Sequence, residues 1–458
     1  MTGMEQVRAL SVPLPEDILK HKWAGELEAA AAAIDARLER DDIPQAMRAR
    51  LTCEKERLRR LPLQYPWNRD EAFDKLRELI PDVTREEFAE MERAGIVDFI
   101  YLHGEKRYFI RFHKSIAKRH DYLARSGGKV SPVSAWLDPM IAEAKAKGYC
   151  GRRITVEASI AVEPDAFTPG TYRVWLPIPA PTAQQSRVEI LEGQPAFVSP
   201  EDAPARTAYW EKRLDTPERF TVTYRYESMI HYADPLRAEA PAAPLYPATA
   251  PVCAEDLAED GTYIRFTPYL RSLAAELSEG QPRPVDKAWA FFRFVTEKVK
   301  YAFVRNYFQI DDHGEYCAVN QLGDCGLQAL LFISLCRIAG IPARWQSGMA
   351  VEPDYTGSHD WAQFYLEGWG WLFADPSYGG GAFRAGNLER QAFYFGNLDP
   401  MRMAANRRYM AELEPPMLGL RIDPFDNQSG EVERVGADAP FVGRDVDDTA
   451  RLVCAEVL

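Results

Sequence analysis

Three residues in the last third of the 458-residue chain have the types that nucleophilic acyl chemistry needs: Cys325, His359 and Asp375. A thiolate attacks a carbonyl carbon, an imidazole takes up and returns the proton, and a carboxylate beside the imidazole fixes its tautomer. Cys325 stands in NQLGDCGLQALLFISLCRIAGIPARWQSGM. From it onward Leu327, Leu330, Leu331, Ser334, Leu335 and Ile338 follow helical spacing until Gly340 and Pro342 stop the helix. The cysteine is thus expected in the first turn, where unpaired N–H groups and the positive end of the helix dipole favour a thiolate. Taken alone, a small buried hydrophobe is an equal reading of such a residue.

His359 stands in SHDWAQFYLEGWGWLFADPSYGG. There Trp361, Gln363 and Tyr365 alternate with Ala362, Phe364 and Leu366, the stretch from Gly368 to Gly370 makes a turn, and Trp371 to Ala374 form a return strand. This antiparallel hairpin puts His359 at the start of one strand and Asp375 at the end of the other, which brings them together. A lone histidine ordinarily reads as a core or surface residue. A helix-opening cysteine, a strand-opening histidine and a hairpin-partner aspartate together have the order of a triad.

The ordered motifs G-D-C-G (323–326), R-x-A-G-I-P-A-R (337–344), H-x-W-x-x-x-Y (359–365) and W-x-x-x-D-P-S (371–377) resemble the core of the transglutaminase-like superfamily of papain-type cysteine enzymes. The resemblance implies Cys325 as nucleophile, His359 as general base and Asp375 as the orienting group. It implies a papain-like transglutaminase core preceded by a small β-sandwich; with the mainly helical N-terminal region read from the residues themselves, the expected fold is α+β. The expected activity is that of a cysteine-dependent amide hydrolase (peptidase, amidase or deamidase) working through a thioester on a peptide or protein substrate, with no cofactor and no metal. If an amine replaces water as the second acceptor, the same triad makes a protein-glutamine gamma-glutamyltransferase. Water is favoured because no calcium-loop pattern or crosslinking context accompanies the motifs. A non-catalytic protein-binding module is the alternative of a different class.

Neighbouring residues have plainer readings. Asp324 closes a loop as an Asx turn or acts on the thiol. The backbone N–H of Cys325 is a better oxyanion donor than Gln321. Cys317 and Cys336 read as buried, and Trp345, Trp361, Trp369 and Trp371 as sheet packing rather than a substrate groove. His313 and the pair Asp311-Asp312 lack partners at metal-ligand spacing. The run DPFDNQSGEVE from Asp423 reads as hydrogen-bonded turn and acidic tail.

The elements that must position this chemistry fall into five expected segments. Residues 1–130 read as helices with a β-hairpin in VDFIYLHGEKRYFIRFH, including one run from Pro15 to Leu38 and a capping box at Thr84 and Glu87. This block is apolar enough to dock on the rest of the chain, as a brace or as a cover over the Cys325 groove. Residues 150–230 hold short β-branched and aromatic runs of a sandwich. A proline- and alanine-rich linker spans 231–255, the catalytic core 256–400 and a C-terminal extension 401–458. The composition, 46% apolar and 27% charged, is that of a globular chain, and 68 acidic against 55 basic residues, net −13, exclude general attraction to nucleic acid or anionic membrane. Seven scattered cysteines without a Cys-x-x-Cys pair fit a reducing compartment. With no leader or spanning run, a cytoplasmic location is expected. The sequence leaves the oligomeric state open.

Overall fold

The computed structural model describes residues 3–127, 133–246, 250–437 and 439–458. The N-terminal block holds helices α1 (Glu16–Trp23), α2 (Leu27–Leu38), α3 (Gln45–Gln64), α4 (Arg69–Leu79) and α5 (Arg85–Arg93), hairpin strands β1 (Phe99–Leu102) and β2 (Glu105–Tyr108), and α6 (Phe112–Ala117). The run expected from Pro15 to Leu38 is broken after Trp23. Gly25 there adopts φ +75°, and a Cβ on it would fall 2.3 Å from the main-chain oxygen of Tyr101. Helix α5 opens on the reciprocal capping box, with Glu87 N–H donating to Thr84 Oγ1 at 3.1 Å and Thr84 N–H to Glu87 Oε2 at 3.0 Å. The hairpin turns through His103 and Gly104, both at positive φ, as a tight two-residue connection requires. Phe73, Phe88, Tyr108 and Phe112 form the shared core of these pieces.

Next come β3 (Tyr149–Val162), β4 (Gly170–Pro177), β5 (Gln185–Glu192), β6 (Phe197–Val198), β7 (Thr207–Leu214) and β8 (Arg219–His231). They lie in two four-stranded sheets, each completed from the far end of the chain. The final strands β14 (Glu431–Arg434) and β15 (Val446–Val457) pair antiparallel with β4 and β3, giving the orders β14-β4-β7-β6 and β15-β3-β8-β5. The C-terminal residues therefore close the sandwich instead of extending past the core. Among its described residues the proline-rich stretch 233–253 forms no helix or strand. It is nevertheless packed: Tyr246 is buried against Phe373, and Trp371 Nε1 donates to Ala250 O at 2.9 Å. Residues 128–130 of the expected N-terminal block and 247–249 of the expected linker lie outside the described residues.

The core domain holds α7 (Pro268–Leu277), α8 (Pro284–Lys298), α9 (His313–Asn320) and α10 (Cys325–Ile338). They pack on an antiparallel sheet of β9 (Ala343–Glu352), β10 (Tyr355–Leu366), β11 (Gly370–Ala374), β12 (Phe395–Gly396) and β13 (Arg402–Asn406), with α11 (Pro376–Arg384) following β11. The strand order is β12-β11-β10-β9-β13. Helix α10 is buried on every side: Leu327, Leu330, Leu331 and Leu335 meet Phe291, Phe292 and Val295 of α8 and Ala362 and Phe364 of β10 in one cluster. Truncating one of these leucines to alanine costs about 2–5 kcal/mol, enough to hold the cysteine-bearing end of the helix in one place. The other end of the sheet is shared, because Met349, Val351, Met403 and Ala405 enter the sandwich core.

Candidate active site

Local chemistry sets the thiol's position. Asp324 is the N-cap of α10, its Oδ1 accepting Leu327 N–H at 3.3 Å and the Tyr307 hydroxyl proton. Cys325 follows as the first helical residue. Gly326 must lack a side chain here, since a Cβ would lie 2.1 Å from the Tyr307 hydroxyl oxygen and 2.9 Å from Asp360 Oδ2. Cys325, a half-buried residue, donates through Sγ to Asp360 Oδ2 at 3.2 Å. Asp360 is the residue after His359 on β10. Among the described residues no hydrogen bond joins Sγ to His359 itself.

His359 lies in the middle of β10, opposite Gly348, rather than at a strand start. The two-residue turn at Pro353 and Asp354 lets β9 and β10 pair out to Glu352 and Tyr355, which lengthens the strand past the expected beginning. The hairpin does bring His359 and Asp375 together. His359 Nε2 and Asp375 Oδ2 are 2.7 Å apart, with both residues buried. Asp375 caps α11, its Oδ1 accepting Tyr378 N–H at 3.0 Å and Ser377 Oγ–H at 3.1 Å. Burial works against the Asp375 charge, yet His359 and the Arg402 guanidinium outweigh it and hold the carboxyl below its usual range. Arg402, fully enclosed, reaches Asp375 at 3.5 Å and Asp399 at 2.9 Å and lies 4.1 Å from the centre of the Tyr378 ring. Tyr378 in turn sets its ring edge-on to His359 at 4.8 Å.

The thiol differs from the expectation of a dipole-stabilised thiolate. Dense protein around it, then the carboxyls of Asp360 and Asp324, push the Cys325 pKa well above its ordinary value. Burial also raises Asp324, to about 6, against the Tyr307 hydrogen bond. Burial outweighs the helix end, because a thiolate withdrawn from water loses more solvation than the half charge of a dipole restores. In the resting geometry Cys325 is a neutral thiol.

Several residues at the site escaped sequence reasoning. Asp360 sits inside the H-x-W motif, but nothing in the motif ties it to the sulfur, and only the packing of α10 brings the two together. The run Asp426-Asn427-Gln428 is a hydrogen-bonded loop, as read, yet it bonds the site: Gln428 Nε2 donates to His359 O at 3.0 Å and to Asp360 Oδ1 at 2.5 Å. Arg402 had no signal, being one arginine among many. His313 is stacked on Tyr263 at 4.2 Å and shares a hydrogen bond with the Tyr409 hydroxyl, with burial pushing its pKa down to about 3. Among the described residues no three His, Cys, Asp or Glu side chains are grouped to hold a metal ion. Trp345, Trp361, Trp369 and Trp371 are all buried.

The family model described as the transglutaminase-like superfamily matches residues 271–376, a stretch that contains Cys325, His359 and Asp375. Residues 271–376 form a transglutaminase-like domain. The whole chain is an α+β protein with this transglutaminase-like core. Among solved structures, the chain is similar to a candidate cysteine protease from Cytophaga hutchinsonii, at 15% identity and a TM-score of 0.40, covering 68% of this chain and 91% of that one. It is also similar to the periplasmic domain of TgpA from Pseudomonas aeruginosa, at 16% identity and a TM-score of 0.29, covering 52% and 92%. No curated protein matches the sequence. Among the described residues no helix is long and apolar enough to cross a membrane.

The N-terminal block docks beside the transglutaminase-like domain, along the segment that carries Tyr307. Arg57 pairs with Asp311 at 2.8 Å, Asn306 N–H donates to Gln64 Oε1 at 2.5 Å, and Phe303 N–H donates to Ser115 Oγ at 3.0 Å. Arg111 stacks on Phe303 with its guanidinium 3.6 Å from the ring centre.

Proposed function

We propose that the chain is a cysteine-dependent amide hydrolase acting on a peptide or protein through a thioester. The observation that carries this reading is the buried His359–Asp375 pair at 2.7 Å, set on the strand whose next residue touches the Cys325 sulfur. With Nε2–H donated to Asp375, His359 presents Nδ1 as the proton acceptor. The thiol turns from Asp360 to Nδ1 and gives up its proton as Sγ bonds to the amide carbon, and the carbonyl electron pair moves onto oxygen. The Cys325 backbone N–H stands at the helix N-terminus to receive that oxygen. Collapse of the adduct breaks the C–N bond, and the proton on His359 leaves with the amine. Water, deprotonated by His359, then attacks the thioester and restores the thiol. Because the thiol starts neutral, proton transfer accompanies attack rather than preceding it.

A peptide library incubated with the protein, with and without a primary amine, tests the reading by mass spectrometry. Cleavage or deamidation that Cys325→Ala abolishes supports it. Amine incorporation in place of hydrolysis would assign a transglutaminase, and no Cys325-dependent product would leave a binding module.

A further inference from the structure

The carboxyl that faces the thiol is one of a pair. Asp426 lies on the segment before β14, bonded to Ser347, the residue paired with Asp360 across β9 and β10, and two positions before Gln428, which bonds Asp360; its two oxygens are treated unequally. Oδ1 accepts Ser347 Oγ–H at 2.6 Å, Asn406 Nδ2–H at 2.7 Å and Asn427 N–H at 2.8 Å. Oδ2 is buried and meets no donor. Asp360 Oδ1 accepts from Gln428, and its Oδ2 accepts the hydrogen bond of the Cys325 thiol. A buried carboxylate oxygen left without a donor beside a second carboxyl is satisfied when one proton lies between the two groups. Three donors on Asp426 stabilise its charge, so the proton resides on Asp360. The surrounding ionisable groups are Asp324 with Tyr307 on the α10 side, His359 on the same strand, and Asp423 on the Asp426 segment. Arg421 spends one guanidinium nitrogen on the main-chain oxygen of Asp426. Burial and then Asp426 hold the Asp360 pKa well above its ordinary value, and burial lifts Asp426 to about 6, in the same direction as the geometry.

We infer that Asp360 and Asp426 share one proton, and that this proton keeps Asp360 neutral against the Cys325 sulfur so that the thiol can ionise toward His359. The inference rests on reading Cys325 as the nucleophile. Asp426 parks the negative charge one carboxyl away from the sulfur, and the shared proton stays in place while the thiol proton passes to His359.

Iodoacetamide alkylation of the full chain, followed peptide by peptide so that Cys325 is separated from the exposed Cys253 and Cys454, reads thiolate availability without a substrate. Asp426→Asn removes the charge that holds the proton on Asp360. Asp360 then ionises beside the sulfur, and the Cys325 rate at neutral pH should fall roughly tenfold, with its pH profile moved upward. Asp360→Asn keeps a neutral group there and should label close to the wild-type rate, and the double variant Asp360→Asn/Asp426→Asn should match Asp360→Asn. Wild-type labelling of Asp426→Asn, or a double variant as slow as Asp426→Asn, overturns the proposal. If Asp426→Asn does not fold, infrared spectra decide: a protonated-carboxyl stretch at neutral pH that Asp360→Asn removes supports the shared proton, and identical spectra refute it. None of these readouts needs turnover, so a failed hydrolase assignment stays distinguishable from a failed carboxyl pair.

Discussion

Replacing Arg402 by methionine separates the support of the proposed triad from the three proposed residues themselves. Arg402 is 1% exposed and serves Asp399 at 2.9 Å, Asp375 at 3.5 Å and Glu352 at 3.8 Å. Methionine keeps the length and apolar contacts of the side chain but leaves these buried carboxylates without their cation. Removing one partner of a buried ion pair costs about 3–5 kcal/mol, and the shared geometry here argues for the upper end. The sign with pH follows from linkage. In the wild type Asp375 is held below its ordinary value, so its contribution is present above the unfolded pKa and lost as pH falls through the folded one. In the variant Asp375 keeps its burial without the guanidinium, its pKa rises, and the folded state takes up a proton on acidification. The stability deficit of Arg402→Met should therefore be largest at neutral pH and shrink as the medium becomes mildly acidic. Urea unfolding at the two conditions measures this. Turnover should fall on the order of a hundredfold as His359 loses its fixed orientation, and the acid limb of kcat/KM should move to higher pH. A deficit under about 1 kcal/mol, in the range of an exposed pair, or one that does not change with pH, would refute the reasoning.

Three further outcomes are expected. His359→Ala should reduce turnover more than Asp375→Asn, each by at least about a hundredfold, because an amide still orients the ring whereas nothing replaces the proton acceptor; rates on any substrate found in the library check the order. Asp324, lifted to about 6 from 3.8, contributes stability that is complete below its unfolded pKa and lost as pH rises through its folded one; Asp324→Asn retains the cap without that titration. Its stability relative to the wild type should thus increase by up to about 3 kcal/mol between mildly acid and neutral pH in thermal or urea unfolding. Deleting residues 1–127 strips Gln64, Ser115 and Arg57 from the segment around Tyr307, and the remainder should be less stable or insoluble; a soluble, equally stable remainder with faster Cys325 alkylation would make the block a cover instead of a brace.

The sequence by itself determined what is local. The leucine spacing after Cys325 specifies a helix that begins at the thiol, the alternation around Trp361 and the glycines after Leu366 specify the hairpin, and that hairpin puts His359 and Asp375 on neighbouring stretches of chain, 2.7 Å apart in the fold. The α+β class and the transglutaminase-like core follow from the same few motifs. Tertiary structure decided everything that depends on which faces meet. Residues of β14 and β15 complete sheets whose partner strands lie more than 250 positions earlier in the chain, in pairings such as Glu431 with Trp175 and Val446 with Val162, and no local pattern encodes a partner at that distance. The state of the thiol was decided in the same way. A helix N-terminus favours a thiolate wherever it stands in the sequence, but the packing of α10 against β10 withdraws this thiol from water and sets it on Asp360. Loss of solvation penalises the charged form of a thiol, so this packing overrides what the helix supplies alone.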